Sequence, residues 1–323
     1  MQKNLRIVFM GTPEYSVPTL HKLCEAGLKP VLVLTRPDAP AGRGNHILAS
    51  PVKLAAQELD IPVYQPTSLR TPAAYDVLQK YAPDLAVVIA YGMILPQAML
   101  DLPAYGCINL HASLLPEYRG AAPIQRAIMD GQKLTGVSLM QMSASLDEGP
   151  VYAKRKVQIS EEIDSGELHD ILAELSAEIL LENLSAIVSG ALEAIAQDHA
   201  NTSYAAKITK ADELIMWNQT TEKTINRIRA LSPFPGSFTY LNQKRVKIWK
   251  ARRFVANDQQ KDLMTAEKPG TLSFNAGNSL CVYTADGLIE ILELQLEGKK
   301  RMPADQFLKG LKKDTELCFN SEV

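Results

Sequence analysis

The chain alternates two hydrophobic rhythms. Leu5–Met10 (LRIVFM), Val31–Thr35 and Asp84–Ala90 (DLAVVIA) are short, nearly continuous apolar runs, the pattern of strands buried on both faces. Between them, Glu14–Ala26, Pro51–Leu59 and Pro72–Tyr81 predict helices, the first closed by Gly27 as a C-cap. Val63–Tyr64, Gly106–His111, Gly136–Met142 and Val151–Ile159 predict further strands, the last two as a pair, with short helices at Pro96–Leu100 and Ala122–Met129. Leu168, Leu172, Leu175 and Ile179 recur at helical spacing in a long segment from Ser165 to about Ser189. Alternation of this kind gives an α/β domain over residues 1–189, with a Rossmann-like, doubly wound, mostly parallel sheet.

The rhythm changes after a linker at 190–206. Thr221–Leu231 predicts one helix. Then Ser237–Leu241, Val246–Ala251, Gly270–Ser273, Leu280–Tyr283 and Leu288–Leu296 are short runs of β-formers, with turns at Asn242-Gln243 and Asp286-Gly287. These predict a smaller OB-like β-barrel domain over 207–323.

A length of 323 residues with 46% hydrophobic content supports two domains with real cores. No run of 18 apolar residues occurs, so no membrane span is expected. MQKNLRIVFMGTPE turns polar too soon for a signal peptide. The four cysteines are scattered without a CxxC, and none of the five histidines has HExxH spacing. A cytoplasmic monomer without a metal is expected. Only Gly11 falls in the turn after the first strand, so the GxGxxG dinucleotide fingerprint is absent and no nicotinamide is expected.

A net charge of −2 hides an asymmetry: residues 1–206 carry 15 Lys/Arg against 22 Asp/Glu, and residues 207–323 carry 19 against 14. The basic distal part is either a solvated face or a surface for a polyanion. Its densest tract is Lys244–Arg253 (KRVKIWKARR), six bases with Trp249 among them. As a regular strand it would set Arg245, Lys247 and Trp249 on one side and Lys244, Lys250 and Arg252 on the other. Arg36–Ser50 (RPDAPAGRGNHILAS) reads as a long loop, either functional or a flexible surface loop.

Candidate chemistry concentrates in Gly106–Gln125 (GCINLHASLLPEYRGAAPIQ). Asn109 and His111 interrupt an apolar strand and share one side of it, about 7 Å apart. Such a pair is either satisfied by loop backbone or functional. Asp147, in the loop SASLDEG after the next strand, would add a carboxylate to an amide donor and a proton shuttle.

NLHASLLPEYRGAAPIQ followed by GVSLMQMSASLDEG resembles the active-site core of folate-dependent formyltransferases. The AAPIQ ending, TRPDAPAGRG, AYGMILP and IRALSPFPGS are similar to the branch acting on charged initiator tRNA. The resemblance implies 10-formyltetrahydrofolate as formyl donor and initiator methionyl-tRNA as acceptor. It implies Asn109, His111 and Asp147 as catalytic residues, with Ser113, Leu114, Leu115 and Pro116 bordering the folate. It also implies a cis Leu115–Pro116 bond and a tRNA contact at Arg43; in the distal part, whose charge suits a polyanion, Lys207, Lys244, Arg245 and Lys247 are the expected tRNA contacts. Ala112 and Met216 depart from the family pattern, which has Gly and Asp there. Sugar-nucleotide formyltransferases and 10-formyltetrahydrofolate hydrolases share the Asn/His/Asp core, and a non-catalytic RNA-binding protein would share the basic domain.

Overall fold

A computed structural model describes residues 5–41, 46–255, 267–273, 279–310 and 317–321. In chain order the first two-thirds runs β1 (Ile7–Gly11), α1 (Val17–Glu25), β2 (Leu32–Leu34), β3 (Ala39–Ala41), β4 (His46–Leu48), α2 (Pro51–Glu58), β5 (Val63–Tyr64), α3 (Pro72–Lys80), β6 (Leu85–Ile89), α4 (Gln97–Leu100) and β7 (Cys107–His111). It continues with β8 (Arg119–Gly120), α5 (Pro123–Met129), β9 (Leu134–Gln141), β10 (Val151–Gln158), α6 (Ser165–Val188) and β11 (Tyr204–Ala205).

The strands form a seven-stranded sheet in the order β10-β9-β7-β6-β1-β2-β5. The pairings from β5 through to β7 are parallel, whereas β9 runs antiparallel to β7. The sheet is therefore mixed at one side. Every residue of β1 and β6 is buried, as their unbroken apolar sequence requires. Val8, Met10, Ala86, Val88 and Cys107 point to the face packed by Ala74 and Leu78 of α3 and Met99 and Leu100 of α4. Phe9 and Gly11 point to the other face. A Cβ on Gly11 would stand 2.7 Å from Ser16 Cβ, so glycine lets the turn before α1 close onto the sheet.

Beyond β11 the chain forms α7 (Lys210–Glu213), α8 (Thr221–Ala230), β12 (Ser237–Leu241), β13 (Lys244–Arg253), β14 (Leu272–Ser273), β15 (Leu280–Tyr283), β16 (Leu288–Leu296), β17 (Met302–Pro303) and α9 (Ala304–Lys309). The strands make an antiparallel sheet ordered β12-β13-β16-β15-β14, with β17 also on β16. Asn242 and Gln243 both have positive φ, 49° and 64°, the geometry of a tight hairpin turn. Val246, Ile248, Ile289, Ile291, Trp217 and Phe319 form its core.

By packing, one compact unit comprises Met1–Pro123, Leu134–Val157 and His169–Ala205, and a second comprises Ile124–Lys133, Gln158–Leu168 and Ala206–Val323. Within the second, Ile159 N–H donates to Lys133 O and the Arg229 guanidinium donates to Ser160 O and Ile163 O.

Three sequence expectations change. Residues 36–50 are not wholly a loop, because β3 and β4 pair within them. Residues 190–206 are not a plain linker, because β11 pairs in parallel with β8. The Lys244–Arg253 strand does not keep one parity. Its register on β16 shifts between Ile248 and Ala251, so Val246, Ile248 and then Ala251 face the core. The bulge returns Arg252 to the side of Arg245 and Lys247. Among the described residues no helix is long and apolar enough to cross a membrane, and no His/Cys/Asp/Glu cluster is spaced to hold a metal.

Candidate active site

Strand alternation puts Cys107, Asn109 and His111 on one side of β7. Cys107 packs into the core, while the next two positions leave it toward the carboxyl end of the sheet. There an open α/β sheet presents its ligand site. Asn109 is half-buried, and no described residue hydrogen-bonds its side-chain amide. His111 is 7% exposed, with Nε2 2.9 Å from Tyr118 O. A carbonyl can only accept, so Nε2 carries a proton and donates it to Tyr118. The lone pair or second proton is then left on Nδ1, which lies 3.7 Å from Asp147 Oδ2.

Asp147 has φ +53°, a backbone region that Asp and Asn enter more readily than most residues. Its Oδ2 accepts the Gly120 N–H at 2.8 Å. Ring orientation therefore comes from the Tyr118 carbonyl, and Asp147 supplies charge at close range. The sequence brought these three residues to one place, but it gave no sign of the residues behind Asp147. Gln197 Nε2 donates to Asp147 O (2.8 Å) and Gly149 O (2.7 Å). Gln197 Oε1 accepts from Arg119 Nη2 (2.8 Å) and Nε (3.2 Å). Arg119 lay in the motif without a role, and Gln197 lay in a stretch whose composition reads as linker.

Ser113–Pro116 is held inward. Ser113 Oγ donates to Glu117 O at 2.6 Å, and Ser138 Oγ donates to Ser113 O at 2.7 Å while accepting from Leu115 N–H at 3.0 Å. The Leu115 carbonyl accepts from the Lys154 ammonium, and the Leu115 side chain packs on Met140 and Val151. The Leu115–Pro116 bond is cis. Ser113 and Leu115 are fully buried, so among the four only Leu114 and Pro116 retain exposed side-chain surface.

Of the five basic positions, Arg43 lies outside the described residues. Lys207 and Lys244 are exposed. Arg245 and Lys247 are engaged within their own unit. The Arg245 guanidinium lies 3.9 Å over the Phe238 ring and 3.3 Å from Glu213. Lys247 Nζ donates to Pro235 O and sits 5.0 Å from the Trp249 ring, and burial pushes its pKa down.

Among the described residues, an amide with no side-chain partner, an imidazole whose Nδ1 makes no hydrogen bond and a carboxylate 3.7 Å from that nitrogen are suited to stabilising a developing oxyanion and moving a proton. The formyl transferase family model matches residues 5–184, and that of the formyl transferase C-terminal domain matches residues 207–312. The chain is similar to the methionyl-tRNA formyltransferase of Geobacter sulfurreducens, 44% identical over 95% of this chain and 94% of that one. It is also similar to that of Carboxydothermus hydrogenoformans, 44% identical over 95% and 96%. Among solved structures, an N-formyltransferase from Helicobacter canadensis with folinic acid and dTDP-3-aminofucose superposes with a TM-score of 0.65 at 16% identity, over 89% of this chain and 99% of that one. HypX from Aquifex aeolicus with tetrahydrofolic acid gives 0.62 at 19% identity, over 99% of this chain and 51% of that one. Likeness at these identities speaks to the fold.

Proposed function

The chain belongs to the methionyl-tRNA formyltransferases of the formyl transferase family, and we propose that it moves the formyl group of 10-formyltetrahydrofolate onto the α-amine of methionyl initiator tRNA. Formyl transfer is the chemistry of that family. The acceptor is inferred because the similarity to the relatives runs through the distal domain as well as the catalytic one. In this reading residues 1–189 form a Rossmann-like catalytic domain and 207–323 an OB-like tRNA-binding domain, joined by 190–206.

One observation carries the mechanism: Asn109, whose amide has no hydrogen-bond partner among the described residues, lies on the same side of β7 as His111, whose Nδ1 faces Asp147. The donor supplies a formyl carbon on a nitrogen leaving group. A free α-amine has a pKa of about 7.7–8.0, so a substantial neutral fraction is present near neutrality. As that amine attacks, charge grows on the formyl oxygen, where the Asn109 N–H donates. The amine loses one proton as the new C–N bond forms, and the departing nitrogen gains one as the old bond breaks. His111 Nδ1 is the group that can exchange both, with the Asp147 carboxylate 3.7 Å from it. No step calls for a resident metal or nicotinamide. Ser113–Pro116 shapes the folate wall, with Leu114 and Pro116 offering the side-chain surface.

The test is formyl transfer from 10-formyltetrahydrofolate to charged initiator tRNA, beside a UDP-amino-sugar and water as acceptors. Transfer only to the sugar would replace this reading with a sugar-nucleotide one. Release of formate without transfer would replace it with hydrolysis.

A further inference from the structure

Behind Asp147 lies a polar chain that the transfer chemistry does not use. Arg119 is 1% exposed and Gln197 9%. A buried guanidinium is costly unless its donors are met. Arg119 meets the requirement with Gln197 Oε1 on Nε and Nη2, and with Glu148 Oε1 3.3 Å from Nη1. The Gln197 amide has one consistent orientation. Its oxygen faces a group that can only donate, and its nitrogen faces two carbonyls that can only accept. Its two N–H bonds clasp Asp147 O and Gly149 O, either side of Glu148, where the backbone at Asp147 holds φ +53°.

The same two short segments grip Asp147 from the other side. Arg119 and Gly120 form β8, and Gly120 donates to the Asp147 carboxylate. β8 is itself fixed by residues that follow Gln197: Arg119 N–H donates to Ser203 O, Ala121 N–H to Ala205 O, and Tyr118 N–H to Ser203 Oγ. Tyr118 carries the carbonyl that orients His111.

We infer that Gln197, locked by Arg119, is a positioning residue that sets the Asp147 carboxylate against His111. This rests on the functional reading above for the role of Asp147, but the clasp itself does not depend on which substrate is formylated. Gln197→Ala removes both N–H donors, and with them the acceptor of Arg119 Nε and Nη2, while the Asp147 side chain is retained. The loop is then free to relax, and a misplacement of about 1 Å can cost about 10²-fold in rate.

The experiment is a kinetic cycle in the full chain, paired with amide exchange. Gln197→Ala is expected to lower kcat about 10- to 100-fold with KM for both substrates within about twofold. In an Asp147→Ala background the same change should cost nothing further, because its effect passes through Asp147. The Gly120 amide should exchange faster in Gln197→Ala while amides of β6 stay protected. A full additional loss in the Asp147→Ala background, or unchanged exchange at Gly120, would overturn the inference. A wild-type protein that formylates no tRNA would sink the functional reading alone, since Gly120 exchange still decides whether Gln197 holds the loop.

Discussion

His111 and Asp147 face each other across 3.7 Å, Nδ1 to Oδ2, and each is fixed by a backbone group of the Tyr118–Gly120 segment rather than by the other. The spacing of the pair is therefore set by a third element. An amide at position 147 could still accept the Gly120 N–H but would bring no charge.

Asp147→Asn is accordingly expected to fold normally and to lose at least about 10²-fold in kcat. Asn109→Ala should lose a comparable amount, about 2.7–4 kcal/mol of barrier, as for one oxyanion donor. Steady-state kinetics beside circular dichroism checks both. Near-normal turnover in either folded variant removes that residue from the mechanism.

The second prediction concerns Arg126 and Asp212, bonded bidentately at 2.7 and 2.9 Å. Arg126 and then the Thr209 N–H and hydroxyl hold the Asp212 carboxyl down to about 2, from an ordinary value of 3.8. A depressed folded pKa stabilises above the unfolded value and is lost as pH falls through 3.8 toward about 2. Asp212→Asn should lower stability at pH 7 by on the order of 1–2 kcal/mol and flatten the fall in Tm between those pH values. Parallel Tm curves for wild type and variant would contradict this.

Lys244 and Arg245 should behave differently although they are neighbours. Lys244 is exposed, so Lys244→Ala should weaken tRNA binding uniformly and reduce the salt slope by about 1, with Tm unchanged. Arg245→Ala removes a cation from the Phe238 ring and from Glu213, which is itself only 6% exposed at its side chain. It should lower Tm instead. Affinity measured across a salt series, with melting curves for both variants, separates the two.

Arg43 lies between Gly42 and Gly44 in the segment after β2. As a reader of an unpaired acceptor end it would stack on or bond to bases, as RNA readers do where strands are splayed. Arg43→Ala should sharply reduce kcat/KM for initiator methionyl-tRNA and narrow its advantage over elongator methionyl-tRNA, with folate binding unaffected. An equal fractional loss on both tRNAs would make Arg43 a phosphate contact.

The central strands β1, β2 and β6 were legible because burial on both faces writes itself as a continuous apolar run, and in β7 Asn109 and His111 stood out against such a run. What stayed hidden depends on distant partners. Ala39–Ala41 is Ala-Pro-Ala, with no strand-forming residue to announce β3. Tyr204 and Ala205 become a strand only because Arg119 and Gly120, more than eighty residues earlier, lie beside them. The parity change in β13 is set by its register on β16, so an alternating reading of KRVKIWKARR placed Arg252 on the wrong side. Gln197 meets Arg119, Asp147 and Gly149 in space, all about fifty or more residues away in sequence, and nothing in its own stretch announces them.

The chain crosses between its packing units at 123/124, 133/134, 157/158, 168/169 and 205/206. Such a weave limits modular exchange. Grafting the distal domain of a relative onto this catalytic domain by joining at 190–206 would leave 124–133 and 158–168 meeting a foreign surface. A working chimaera would have to carry those two inserts along with their partner. Substitutions within them should therefore co-vary with 206–323 rather than with the sequence on either side.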